Sequence, residues 1–285
     1  MISLRTLFLA VLLLSSGLLP AQAQSTAPAA REYRVLLVGN SFTYANNLPA
    51  LLRAVGASQN TPIITETYAA PGGTLIERWK DGHAADALRN RKFDAVVLQE
   101  MGGQVGCMVS ASQSRTAPCA ASQRAHESFA KLANEQSTKP LLFTDWSDDK
   151  RTQGRIRGGM RMLSKETGAT IFDAAGAIAA MQQAIPGTSP YPDGMHPSTQ
   201  ASLMLAVTLY RDITGNTPVA RDLRVTATLL PANAAVSPAS PMESQPALAG
   251  DGKTTIVPAA LIEPLIKALP DPKDSGEVNP SRSRR

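Results

Sequence analysis

Serine, aspartate and histidine can together transfer acyl groups, and this chain carries them at two well-separated places. Ser41 lies in GNSFT, from Gly39 to Thr43, and Asp193 and His196 lie in YPDGMHPS, from Tyr191 to Ser198. Two residues, one of them a glycine, separate Asp193 from His196, and Pro197 disfavours a helical His196. In such a turn the carboxylate can accept a hydrogen bond from one imidazole nitrogen, leaving the other to take a proton from a serine hydroxyl. Ser41 also has a plainer use. It or Thr43 could cap the helix that follows, because short hydroxyl side chains satisfy the free N–H groups of a first helical turn. The distant Asp193–His196 block is what favours the chemical use of Ser41.

The elements around these residues read as alternating strands and helices. Arg34 to Val38 is a short leucine and valine run that can be buried on both faces, Gly39 breaks it, and a helical apolar pattern begins near Leu48. Ser41 therefore falls in a turn beyond the carboxyl end of a strand, where parallel α/β sheets place their ligands. Further strands are expected over Pro62 to Ala69, Phe93 to Leu98, Pro140 to Thr144 and from Ala169. Helices are expected over Thr74 to Arg89, Gln123 to Gln136, Lys150 to Thr167 with an interruption at Gly158 and Gly159, Ala174 to Ala184, and from Ser198 to a stop at Gly215. Five strands alternating with helices predict an α/β fold of three layers, a five-stranded parallel sheet with helices on both faces. Trp79, His83 and Trp146 are read first as packing or solvated side chains, although Trp146, at the end of a strand, could stack on a sugar ring.

The two blocks resemble those of the SGNH/GDSL hydrolase superfamily, over about Arg34 to Gly215. GNSFT matches its first, GDS-like block and DGMHP, from Asp193 to Pro197, its last. The resemblance implies a flavodoxin-like strand order of 2-1-3-4-5, Ser41 as nucleophile, His196 as base and Asp193 as its partner. It also implies an oxyanion hole built from the Ser41 N–H, a glycine N–H in APGGT, assigned to Gly73 with Gly72 beside it, and an amide side chain after the third strand. There the chain reads VVLQEMGG, so Gln99 takes the place of the family asparagine, and the neighbouring Glu100 must point away from any developing oxyanion. The first block departs as well, with Asn40 where many members carry aspartate.

Arg5 precedes the apolar run LFLAVLLLSSGLLP, and small residues end at Ala23, the pattern of a secretory signal peptide over residues 1–23. An Ala, Ser and Pro-rich linker over 24–33, a hydrolase-like domain over 34–218 and a Pro/Ala-rich tail over 219–285 complete the expected organisation, the tail being disordered or loosely docked. Within the tail, Pro258 to Pro270 can form a short helix despite Pro264. The leader directs the chain to a periplasm or beyond it and is too short for a stable membrane span. In that setting Cys107 and Cys119, the only cysteines, are expected to form a disulfide pinning the long polar loop from Gln99 to Ser122. With three histidines, His83, His126 and His196, and no metal-ligand spacing, neither a metal nor another cofactor is implied. The net charge of +5 is scattered and argues against nucleic acid. The expected activity is a serine esterase acting through an acyl-enzyme on a small-molecule or carbohydrate ester, such as an O-acetyl group. Its rivals are a catalytically degenerate carbohydrate-binding protein and an acyltransferase using the same residues.

Overall fold

A computed structural model describes residues 30–248, 250 and 252–270. The expected leader, most of the linker and the last fifteen residues of the expected tail, 271–285, lie outside the described residues. Five parallel strands form one sheet in the order β2-β1-β3-β4-β5: β1 (Tyr33–Gly39), β2 (Ile63–Ala69), β3 (Ala95–Gln99), β4 (Lys139–Phe143) and β5 (Thr170–Phe172). Successive side chains in a strand point to opposite faces, and both faces here are covered. Val35, Leu37, Val97, Leu141 and Phe143 join the core under α2 (Leu48–Ser58), α7 (Ala174–Ala184) and α8 (Thr199–Thr214). Leu36, Val38, Val96, Leu98 and Leu142 join the opposite core, under α3 (Leu75–Asp81), α4 (His83–Asn90), α5 (Ala117–Glu135) and α6 (Lys150–Thr167). β1 is buried on both sides from Val35 onward, which is why Val35 to Gly39 is apolar without alternation.

Several boundaries differ from the pattern reading. The helix expected over Thr74 to Arg89 is two, because Gly82 takes the left-handed conformation at φ +79° and ends α3 there. α6 runs through Gly158 and Gly159 without interruption: a Cβ on Gly159 would sit 2.9 Å from the carbonyl carbon of Val105, so the glycine is kept for close packing. The loop after β3 is also more structured than its composition suggests. Gln104–Val109 forms a 3₁₀ turn with Val105 and Met108 buried, and α5 starts six residues early, with Pro118 in its first turn. Cys107 and Cys119 are joined in a disulfide that ties this turn to the start of α5.

The segment after Val219 is folded where it is described, which corrects the expectation of a disordered or loosely docked tail. β6 (Leu223–Val225) pairs antiparallel with β7 (Thr255–Val257), and α9 (Ala259–Lys267) follows, accommodating Pro264. Leu223, Val225, Val257, Ile262 and Leu265 extend the core under α2 and α8, while Leu230, Val236, Met242 and Leu248 bury with Tyr44 and Ala69. The Glu243 carboxylate accepts hydrogen bonds from Thr65 Oγ1 (2.8 Å), Thr67 Oγ1 (2.7 Å) and Thr67 N (2.9 Å), covering the edge strand β2. Average composition hides this, because a few large apolar residues suffice when each meets a core that already exists. No described helix is long and apolar enough to cross a membrane.

Candidate active site

The chain leaves β1 at Gly39 and turns through an extended Asn40 (φ −140°, ψ −152°) into a single helical turn, α1 (Ser41–Tyr44). Asn40 Oδ1 accepts a hydrogen bond from Phe42 N at 3.1 Å and caps the turn. The capping use left open for Ser41 and Thr43 thus falls to Asn40, and the Ser41 hydroxyl is released from it. Ser41 Oγ lies 2.9 Å from His196 Nε2. The Ser41 N–H is the first of the turn and has no acceptor within it.

His196 is held from several sides. Asp193 Oδ1 accepts from Met195 N (2.9 Å) and His196 N (2.7 Å), and Asp193 Oδ2 lies 2.7 Å from His196 Nδ1. An ionised carboxylate only accepts, so Nδ1 carries the proton and Nε2 presents its lone pair to the Ser41 hydroxyl. The His196 backbone N–H, with help from the imidazole and Met195 N–H groups, holds the Asp193 carboxyl down at about 2. Trp146 Nε1 donates to Met195 O at 2.8 Å, and its ring stacks between Phe42 (4.5 Å) and Tyr191 (5.3 Å). Phe42 meets the imidazole edge-on at 5.6 Å. Trp146 therefore braces the histidine loop through packing and one hydrogen bond. Asn46 Nδ2 donates to Pro197 O at 2.7 Å, tying that loop to the segment after Ser41.

Two expected oxyanion donors are engaged elsewhere. Gln99 is fully buried, and its Oε1 accepts from Asn40 N (3.0 Å) and Thr43 Oγ1 (3.1 Å), while its Nε2 donates to Glu100 O and to Asp145 Oδ1 (3.2 Å). The reversed amide would set Nε2 against the Asn40 N–H, two donors face to face, so this orientation is the one the surroundings allow. Gln99 is thus an anchor for the Ser41 turn and not an oxyanion donor. Gly39 belongs to the same arrangement, since a Cβ there would lie 2.6 Å from Gln99 Oε1. The Gly73 N–H donates to Ala70 O at 3.0 Å, closing a tight turn in which Gly72, after Pro71, takes φ +62°. Gly73 O accepts from Asn40 Nδ2 at 2.9 Å. Gly72, not Gly73, lines the cleft with Ser41 and His196. The Pro-Gly pair in APGGT carried the signal, because in such turns the residue after the glycine donates the closing hydrogen bond.

Glu100 points away from Ser41, into a buried pocket where it accepts from Met101 N (2.7 Å), Leu75 N (3.2 Å) and Ser122 Oγ (2.7 Å). His126 is buried beside it with Nδ1 2.8 Å from Ser122 O, and Trp79 packs edge-on against Phe129 at 5.0 Å. Sequence reasoning gave Asp145 no site role, yet it is buried behind Gln99. Burial, with the charge of Glu100 adding, pushes its carboxyl up to about 8, against the hydrogen bond from Gln99. Its proton is therefore kept by the folded chain and released by the unfolded one between about pH 4 and pH 8, and stability falls as pH rises through that window. Asp145→Asn keeps an oxygen for Gln99 and removes the ionisation. We expect the thermal midpoint of the wild type to fall between pH 5 and pH 8 by several degrees more than that of the variant, measured side by side; parallel curves would contradict a neutral Asp145. Among the described residues no group of three or more His, Cys, Asp or Glu side chains is placed to hold a metal ion.

No protein-family model matches the chain, and no curated protein matches it. Solved structures do. A protein from Slackia heliotrinireducens, provisionally assigned as an SGNH hydrolase, superposes with a TM-score of 0.50 at 22% identity, covering 64% of this chain and 98% of that one. Axe2, an acetylxylan esterase from Geobacillus stearothermophilus, superposes with a TM-score of 0.49 at 16% identity, covering 68% of this chain and 99% of that one. With its strand order of β2-β1-β3-β4-β5 and helices on both faces, the chain has the α/β/α fold seen in its SGNH hydrolase neighbour.

Proposed function

We propose that this chain is an exported member of the SGNH/GDSL superfamily that hydrolyses carboxylic esters through an acyl-enzyme on Ser41. The single observation that carries the reading is the continuous relay Ser41 Oγ, His196 Nε2, His196 Nδ1, Asp193 Oδ2, with separations of 2.9 Å and 2.7 Å between residues. Ser41 Oγ attacks the ester carbonyl as His196 Nε2 takes its proton. The imidazolium then gives that proton to the leaving alcohol as the C–O bond breaks, and water, activated by the same nitrogen, releases the acid and restores the serine. Asp193 fixes the tautomer and stabilises the imidazolium. The developing oxyanion is bound by the Ser41 N–H, which has no helical acceptor, and by the Gly72 N–H of the adjoining turn. Export accords with the leader-like sequence and with the Cys107–Cys119 disulfide, since such bonds persist in oxidising compartments.

O-acetyl groups on carbohydrates are the substrate class we favour. A fluorophosphonate probe tests the nucleophile directly: the wild type is expected to take one label, mapped by peptide mass spectrometry to Ser41, and to hydrolyse p-nitrophenyl acetate. An unlabelled protein without esterase activity would instead favour a binding role on the same scaffold.

A further inference from the structure

The cleft beside Ser41 is built from four parts of the chain, and the last of them belongs to the segment that composition alone reads as disordered or loosely docked. Its volume is about 610 Å³, and besides Ser41, Asp193 and His196 it is walled by Pro71, Gly72, Met195, Pro231, Ala232 and Asn233. The turn carrying the last three is fastened to the residues just after the proposed nucleophile. Asn46 N donates to Leu230 O at 2.8 Å, Tyr44 Oη to Ala232 O at 2.8 Å and Asn47 Nδ2 to Thr228 O at 2.8 Å. Burial pushes the Tyr44 hydroxyl up to about 12, so it remains a donor at any working pH. Asn46 and Asn47 both take left-handed backbone angles, φ 54° and 55°, a conformation that asparagine tolerates better than most residues. Leu230 and Val236, on either side of the turn, are buried against Tyr44 and Ala69. A turn held by three hydrogen bonds and two buried side chains is a fixed wall.

Apart from Asp193 and His196, the lining of the cleft carries no ionisable side chain. Its apolar surface comes from Pro71, Met195, Pro231 and Ala232, and Asn233 supplies an amide exposed at the rim. An amide both donates and accepts, as does an alcohol hydroxyl, while prolines, methionine and alanine suit the C–H face of a sugar ring. We propose that Asn233 is a specificity-determining residue of the esterase, hydrogen-bonding a free hydroxyl on the alcohol half of a neutral polyol ester. The assignment rests on the esterase reading above and deepens it.

The test compares the wild type with Asn233→Ala, an exposed substitution compatible with folding, on mono-O-acetylated cellobiose and on p-nitrophenyl acetate, whose alcohol has no free hydroxyl. Loss of one hydrogen bond to a bound hydroxyl should lower the ratio of kcat/KM for the sugar ester to that for the aryl ester by roughly three- to tenfold, with the change in the KM for the sugar. A ratio unchanged by the substitution, or a wild type active on the aryl ester and inert on the acetylated sugar, overturns this assignment alone. A wild type that turns over neither ester and takes no fluorophosphonate label overturns the esterase reading and this assignment together.

Discussion

Alanine at Ser41 and alanine at His196 should each lower kcat for p-nitrophenyl acetate by a factor on the order of 10⁶, and the double substitution should cost hardly more than either single one. The reason is that the two side chains act as one unit. Without the imidazole at 2.9 Å the hydroxyl loses its proton acceptor, and without the hydroxyl the imidazole has nothing to activate. Asp193→Asn is subtler and should cost about 10⁴. An asparagine can still accept from Met195 N and His196 N through Oδ1, so the turn is retained, but it presents an NH₂ group to Nδ1. Nδ1 must then accept, the ring proton moves to Nε2, and Nε2 can no longer receive the Ser41 proton. Because the Asp193 carboxyl is held down at about 2, it stays ionised across the working range. Whatever stability this shift lends is present above about pH 4 and is lost only as pH falls towards 2. With its ring proton on Nε2, the asparagine variant should be slow at neutral pH, where the wild type is not. The measurement is steady-state kinetics on the four variants beside the wild type. Cost factors that multiply in the double variant would show that Ser41 and His196 act independently, against the proposed relay.

How far the sequence could be read differs from residue to residue, for physical reasons. β1 was legible because burial on both faces leaves an uninterrupted apolar run, and the His196 turn because Asp, Gly and Pro each restrict the backbone in a known way. The strand order followed from the resemblance, since periodicity says nothing about neighbours. The capping choice at Ser41 could not be made from the motif, because Asn40 is an equally good capping residue and only the extended backbone at that position puts its carboxamide over Phe42 N. The motif alone assigns the oxyanion N–H to Gly73, whereas the Pro71–Gly72 pair marks Gly73 as the residue whose N–H closes the turn. The tail is not legible from composition because the sparse Leu230, Val236, Met242 and Leu248 are insufficient for a core alone; against Tyr44 and Ala69 they need only complete one. Gln99 was the hardest, since an amide at a strand end has a donor and an acceptor and the sequence does not say which groups will meet them.

Gln99→Ala tests that last point, with two different outcomes. Were Gln99 an oxyanion donor, alanine would lower kcat about a hundredfold to a thousandfold and leave stability nearly intact, because the lost interaction exists only during reaction. The contacts of Gln99 require something else. Its removal strips a partner from the Asn40 N–H, the Thr43 hydroxyl and the Asp145 carboxyl at once, all in residues at most 3% exposed, and opens a void behind the turn that carries Ser41. A buried polar group left without its partner costs about 1–3 kcal/mol, so the loss of folding stability should reach at least about 3 kcal/mol. That is a large share of the margin of an ordinary domain, and it should appear as an earlier denaturant midpoint with an unchanged slope. Activity should fall too, through displacement of Asn40 and with it the Ser41 hydroxyl, since proton transfer at 2.9 Å tolerates little misplacement. A variant as stable as the wild type yet slowed a hundredfold would return Gln99 to the oxyanion hole and refute its role as the anchor of the turn.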